Sequence, residues 1–284
     1  MVKLRSLDLQ DVEQALQLSE AENWNQTEKE WELLIGNKQN ICVAAVIGGK
    51  LIGTATVINY ENKVGWIGMV IVDKEYRGQK ISNLLLSGII ENSKNIISLK
   101  LDATPAGQPV YQKFDFTSEY FVYRFISMSV FKNEVHFEPV VSVERAVPEN
   151  LDEITGFDKK IFGANRKQLI RFLIRNFPEM AWILRLNGQI KGIALGRKGN
   201  SFHQVGPVFA SSSDFAKILI LKSLEDIESQ PAIADIPEHQ PELINWINTL
   251  GFTKQRYFVR MYRNVNAYAG LIENQFLICG PEFG

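Results

Sequence analysis

The stretch Gly68-Met69-Val70-Ile71-Val72-Asp73-Lys74-Glu75-Tyr76-Arg77-Gly78-Gln79-Lys80-Ile81-Ser82-Asn83-Leu84-Leu85 begins apolar and β-branched and then turns polar. From Ile81 the apolar positions Leu84, Leu85, Gly88 and Ile89 follow at helical spacing. It predicts a strand, a polar loop and a helix. Such a junction presents several backbone N–H groups at the positive end of a helix dipole, where phosphate groups bind. A structural turn built on Gly78 gives the same local pattern, so the junction alone leaves both readings open. Neither a Walker loop nor a GxGxxG fingerprint accompanies it, which argues against nucleoside triphosphates and against a Rossmann dinucleotide site.

Upstream, Leu4-Arg5-Ser6-Leu7 reads as a strand entering a helix at Asp8, with Val12, Ala15, Leu16 and Leu18 at helical spacing. A second helix covers residues 27–35. The apolar runs 41–47 and 51–58, joined by Gly48-Gly49-Lys50, make a hairpin, and 63–72 is the next strand, antiparallel to it. Downstream, 96–101 reads as a strand, 109–114 as a short helix and 120–127 as a closing strand. Residues 129–139 show no clear periodicity and join the two halves of the chain.

The second half repeats the first weakly. Val143-Glu144-Arg145-Ala146 with Glu149-Asn150-Leu151-Asp152 echoes the first strand and its acidic helix start. Gly188 and Gly192 repeat the spacing of Gly49 and Gly53, and Val205-Gly206-Pro207-Val208-Phe209 lies where Ile67-Gly68-Met69-Val70-Ile71 lay. Asp235-Ile236-Pro237 leading to Gly251-Phe252 matches Asp102-Ala103-Thr104-Pro105 leading to Phe116. The copies differ after Phe209, where Ala210-Ser211-Ser212-Ser213-Asp214 carries neither the arginine nor the glycine of Arg77-Gly78. The second copy keeps the scaffold and loses the loop, which predicts a single cofactor site per chain.

With 284 residues, 45% of them hydrophobic and 22% charged, the chain has the composition of two ordinary globular domains. Thirty-one Lys and Arg balance 32 Asp and Glu, a net charge of -1 that offers no basic footprint for nucleic acid or anionic lipid. No signal peptide and no long uncharged run is present, so a cytoplasmic protein without membrane partners is expected. Cys42 and Cys279 sit in apolar runs and read as core thiols. His136, His203 and His239 lack the spacing of metal ligands, and no metal site is expected.

Taken in order, residues 68–85 resemble the signature segment of the GNAT acyltransferases, Arg/Gln-x-x-Gly-x-Gly/Ala, with Lys80 at the usual glycine and Ser82 at the Gly/Ala position. Asp102-Ala103-Thr104-Pro105-Ala106-Gly107-Gln108-Pro109-Val110-Tyr111-Gln112-Lys113-Phe114-Asp115-Phe116 resembles that family's second motif, with Asp115 in place of its glycine. The whole chain is similar to a two-domain GNAT group with a degenerate C-terminal copy. The resemblance implies an α/β (α+β) fold of two tandem GNAT-like domains, each a mixed, mostly antiparallel sheet flanked by helices. Residues 1–130 would hold the acetyl-CoA site and 140–284 the degenerate copy. It also implies that the amides of Arg77, Gly78, Gln79, Lys80, Ile81 and Ser82 hold the pyrophosphate of acetyl-CoA. The pantetheine would run along Val70, Ile71 and Val72, with the Val70 amide polarising the thioester carbonyl. An amine, of a small molecule or a peptide N-terminus, would then attack directly, with no enzyme nucleophile and no metal.

Tyr111 stands where family members carry the acid that protonates the departing thiolate; the alternative is an aromatic packed under Phe116. Asp102 is a candidate base or, equally, a cap for loop amides. Between the first two helices, Glu20 and Glu22 could attract a cationic amine and Trp24 could wall it, or the segment is a solvated acidic loop. The loop Phe162-Gly163-Ala164-Asn165-Arg166 is a further candidate contact with substrate or with the first half, unless Arg166 is a surface ion-pair residue. Against an N-acetyltransferase stands one alternative, a module that binds acyl-CoA and senses it without turnover.

Overall fold

The computed structural model describes residues 1–130 and 141–284; His136 lies outside them. The first half runs β1 (Lys3–Ser6), α1 (Val12–Ala21), α2 (Glu28–Gly36), β2 (Ile41–Ile47), β3 (Lys50–Tyr60), β4 (Val64–Val72), α3 (Ile81–Asn92), β5 (Ser98–Ala103), α4 (Gln108–Gln112) and β6 (Thr117–Ser127). The second repeats that order with β7 (Val141–Arg145), α5 (Leu151–Phe162), α6 (Lys167–Asn176), β8 (Trp182–Leu186), β9 (Gln189–Lys198), β10 (His203–Ala210), α7 (Ser213–Glu225), β11 (Ala232–Pro237), α8 (Pro241–Thr249) and β12 (Thr253–Asn264). It then adds β13 (Gln275–Leu277). The strand–loop–helix read from residues 68–85 is β4, the loop 73–80 and α3. No helix among the described residues is long and apolar enough to cross a membrane.

All strands join one sheet in the order β1-β2-β3-β4-β5-β12-β6-β11-β10-β9-β8-β7, with β13 on β10. Read from either end, this order is the same path through the repeat, with the last strands exchanged. β12 of the second half completes the first half beside β5, and β6 of the first completes the second beside β11. Two buried ion pairs sit at matching places in this exchange. Arg260 of β12 grips Asp102 of β5 through two bonds of 2.8 Å, and Arg124 of β6 grips Asp235 of β11 through two of 2.7 Å. The apolar core follows the sheet across the boundary: Tyr60 and Trp66 pack in one cluster with Phe162, Leu169 and Phe283. The halves therefore share their core as well as their strands.

Candidate active site

Strand β4 pairs parallel with β5 over Val64, Gly65 and Trp66 and then leaves it. On its other side the ladder with β3 slips, so that Met69 and Val70 have no partner, and Met69 takes a left-handed φ of 51°. Two hydroxyls hold this bulge, with Thr54 Oγ1 donating to Met69 O at 2.7 Å and Thr56 Oγ1 to Gly68 O at 3.1 Å. A bulge beside a splay turns the strand away from its neighbour and opens a cleft between Val70 and β5.

At the mouth of that cleft lies the polar loop. Gly78 and Lys80 have φ of 79° and 59°, and Lys80 caps α3 without a side-chain bond to its first turn. A left-handed φ costs a residue with a Cβ about 1 kcal/mol, which is why glycine suits such positions and lysine there carries local strain. The amides of Gly78, Gln79, Lys80, Ile81 and Ser82 find no acceptor among the described residues. Five successive unpaired N–H groups at the start of a 12-residue helix form an anion cradle. Next to it a groove of about 250 Å³ is lined by Val70, Ile71 and Val72 together with Trp24 and Arg77. These elements fit a phosphate-bearing, extended cofactor, with the amides holding its charge and the β4 edge its chain. Glu22 belongs to this loop, because it pairs with Arg77 at 2.5 Å and with Lys74 at 3.7 Å. The structure thus puts the Glu22 charge on the loop side and leaves Glu20 exposed, while Trp24 borders both the groove and the cavity behind it.

That cavity, about 230 Å³, is walled by β4 at Met69 and Val70, by Tyr111 of α4, and by Arg124, Arg256 and Phe258 from the exchanged strands. The Tyr111 ring meets Phe116 edge-on at 5.9 Å, and its hydroxyl bonds no described residue. Burial pushes its pKa up to about 12, so the phenol stays protonated throughout the neutral range. The ring is thus packed under Phe116, and the hydroxyl is unbonded among the described residues. Asp102 also reaches the wall, yet both of its oxygens are taken by Arg260. Asp235 makes the same bidentate pair in the other half, so the arrangement recurs at both places of the strand exchange, and burial raises the Asp102 pKa against the pull of Arg260.

Sequence reasoning missed the C-terminal residues. Residues 275–284 run between the halves, where the Trp66 indole donates to Pro281 O at 2.8 Å and the Tyr60 hydroxyl to Phe283 O at 2.9 Å. A Cβ on Gly68 would meet Glu282 at 3.1 Å, and this close passage accounts for a glycine at that point of β4. Glu282 is buried and lines the cavity, with Oε1 bonded to Arg197 and Oε2 without a partner among the described residues. Arg197 also binds Glu30, whose pKa burial raises against the pull of that guanidinium. Two buried carboxylates thus share one guanidinium, and burial favours a proton on Glu30. The loop before α2 is pinned from the second half, since Asn25 Oδ1 accepts from the amides of Ser201 and Phe202 at 2.9 Å each.

The matching place in the second half is closed twice. β10 leaves β11 after Val205 as β4 leaves β5, but β13 pairs with β10 there, and the Ile278 amide donates to Asp235 O. The helix start that follows is capped by Ser212, whose hydroxyl accepts from the Phe215 amide. Arg166 is no surface ion-pair residue, and its loop makes the contact with the first half that is one of the roles expected for it. The arginine is buried, pairs with Asp158 at 2.6 Å and donates to Gly284 O, so it holds the chain's end, while Phe162 of the same loop packs on Tyr60. Cys42 and Cys279 are free thiols that burial raises to about 12. No group of three or more His, Cys, Asp or Glu suited to a metal ion occurs among the described residues.

Both halves match the acetyltransferase (GNAT) domain, over residues 8–122 and 154–277. The chain is 28% identical over 194 residues to the uncharacterized N-acetyltransferase YitH of Bacillus subtilis, a stretch that spans 66% of either chain. It is 21% identical over 248 residues to the holothin acyltransferase of a Pseudoalteromonas species, covering 84% of this chain and 82% of that one. Its fold is like the crystal structure of a Pyrococcus horikoshii protein provisionally called an acetyltransferase, with a TM-score of 0.83, 20% identity and coverage of 100% and 96%.

Proposed function

Because this chain belongs in both halves to the GNAT family and is thus a two-domain acyltransferase, we propose that its first half transfers acetyl from acetyl-CoA to the amine of a small molecule or peptide. One observation carries this reading: the splay of β4 from β5 joins an uncapped run of five amides to a cavity holding Tyr111 and Glu282. The amides of residues 78–82 would bind the pyrophosphate without that of Arg77, which was expected among them but donates to Lys74 O, and the edge of Val70, Ile71 and Val72 would bind the pantetheine. Glu282, with its Oε2 unbonded among the described residues, would take the proton of an arriving ammonium. The neutral amine then attacks the thioester carbon while the Val70 N–H polarises the carbonyl oxygen. Tyr111 gives its proton to the leaving thiolate and takes one back from the nitrogen of the new amide, while Glu282 passes its proton to solvent. Residues 140–284 act as the companion that supplies Glu282 and holds the Asn25 loop. Two unpaired thiols suit a reducing compartment, the cytoplasm.

Calorimetry with acetyl-CoA and thiol release with a panel of amines test the reading. One acetyl-CoA per chain and amine-dependent thiol release are expected, with release falling about 100-fold or more in Glu282→Gln at unchanged acetyl-CoA affinity. Binding without release by any amine would instead make the chain a sensor of acyl-CoA.

A further inference from the structure

The exchanged strands meet in a register that pairs Arg260 with Tyr120 and Arg256 with Arg124. At the first of these places every nitrogen of the guanidinium is bonded, because Nε and Nη2 of Arg260 bind Asp102 and Nη1 donates to the Tyr120 hydroxyl at 2.8 Å. At the second, Nε and Nη2 of Arg124 bind Asp235 in the same way, but the position of the tyrosine is held by another cation. Nη1 of Arg124 consequently has no partner among the described residues. Arg256, an exposed residue, bonds no carboxylate among the described residues and lies over the Phe258 ring, which both guanidiniums flank at 5.1 and 5.0 Å. Like charges directly opposite on neighbouring strands repel. Desolvation, and after it the Arg124 guanidinium, pull the Arg256 pKa down against the weaker opposing pull of Asp235 and Glu282.

Both arginines and Glu282 face the same cavity. We propose that this cavity selects an acceptor that carries a carboxylate beside its amine, the ammonium lying at Glu282 and the carboxylate between Arg256 and Nη1 of Arg124. The inference rests on the acetyl-transfer reading and names its substrate class, an amino-acid-like molecule. Charge counting favours a carboxylate over a phosphate. At the end of the cavity away from Glu282, Asp235 already neutralises Arg124, so the single charge of Arg256 is left to meet the acceptor's carboxylate while Glu282 meets its ammonium, whereas a phosphate monoester brings nearly two negative charges. Two guanidinium edges on one face also suit the two oxygens of a carboxylate.

The test uses the full chain, acetyl-CoA and matched acceptors: common α-amino acids, their α-amides, the corresponding decarboxylated amines, and phosphoethanolamine. The best carboxylate-bearing acceptor should exceed its amide and its decarboxylated partner by about tenfold or more in kcat/KM, with the difference carried in KM. In Arg256→Gln its KM should rise about 10- to 100-fold, so that the ratio to the amide collapses toward one, and Arg256→Lys should recover part of it. Acetyl-CoA affinity, measured separately, should not move. Equal or better turnover of the amides, an unchanged ratio in Arg256→Gln, or preference for phosphoethanolamine would overturn the proposal. Acetyl-CoA binding with no thiol release from any acceptor would overturn the acetyl-transfer reading, and the substrate class with it.

Discussion

Two halves built on one plan end at two different sites. Each has a parallel pair that parts after three residues, β4 from β5 beyond Trp66 and β10 from β11 beyond Val205. In the first half the cleft is open and leads to the amides of residues 78–82. In the second it is occupied by β13 and Ile278, and the loop has shrunk to Ser211 and Ser212. Closing a site this way preserves the fold, because the occupying segment satisfies the same strand edge that a bound ligand would pair with. The occupying segment does more than close: it continues into the first half's cavity and sets Glu282 there. The half that lost one site thereby helps to build the other.

The largest expected effect breaks the open half. Gly78→Pro replaces a φ of 79° by one fixed near -65° and removes an amide from the cradle. Acetyl-CoA binding by calorimetry should fall at least about 100-fold, while Gln79→Ala, which keeps the backbone, stays within severalfold. Equal affinity of the proline variant and the wild type would remove the loop from the binding site.

Asp102 and Asp235 offer a symmetric test. If both serve the exchange of strands, Asp102→Asn and Asp235→Asn each strand a buried arginine and should destabilise by about 3–5 kcal/mol in denaturant unfolding. The two losses should agree within about 1 kcal/mol, with activity per folded molecule similar in both. A stable but inactive Asp102→Asn would return that residue to the role of base.

Tyr111→Phe removes one hydroxyl and keeps the ring that packs on Phe116. Turnover should drop about 10- to 1000-fold with acetyl-CoA affinity unchanged. Since burial raises this phenol to about 12, it donates below that pH and is lost above it. The alkaline fall of kcat should therefore lie near pH 12 and not near the ordinary 10. Wild-type turnover in the variant would leave Tyr111 a packing residue.

The contrast between the halves was partly legible in the sequence. Residues 68–85 and the weak repeat carried the fold, because a hairpin, a loop and an amphipathic helix are written in neighbouring residues. The equivalence of Asp102 and Asp235 was visible as well. Their partners were not: Arg260 lies 158 residues from Asp102, and nothing in the local pattern of β6 or β12 states that the two strands change places. Glu282 was missed for the same reason, since a ten-residue tail with three glycines or prolines and no periodicity gives no sign of where it runs. Glu22 was misplaced because an acidic loop near a cavity reads the same whether its charge faces a substrate or Arg77.

The smallest expected effect sharpens the comparison most. Ser212 caps α7 by accepting from the Phe215 amide, as an anion would at the corresponding end of α3. Ser212→Ala should cost about 1 kcal/mol of stability, the usual value of such a cap, and should free an amide at the start of α7. It should not create a second acetyl-CoA site. The β10 edge still pairs with Leu277, the Ile278 carbonyl would lie 2.1 Å from a Cβ on Gly206, and no loop of the length of residues 73–80 is restored. Calorimetric stoichiometry in the variant should remain one, and a value near two would mean that the serine cap alone kept the second cleft from binding cofactor.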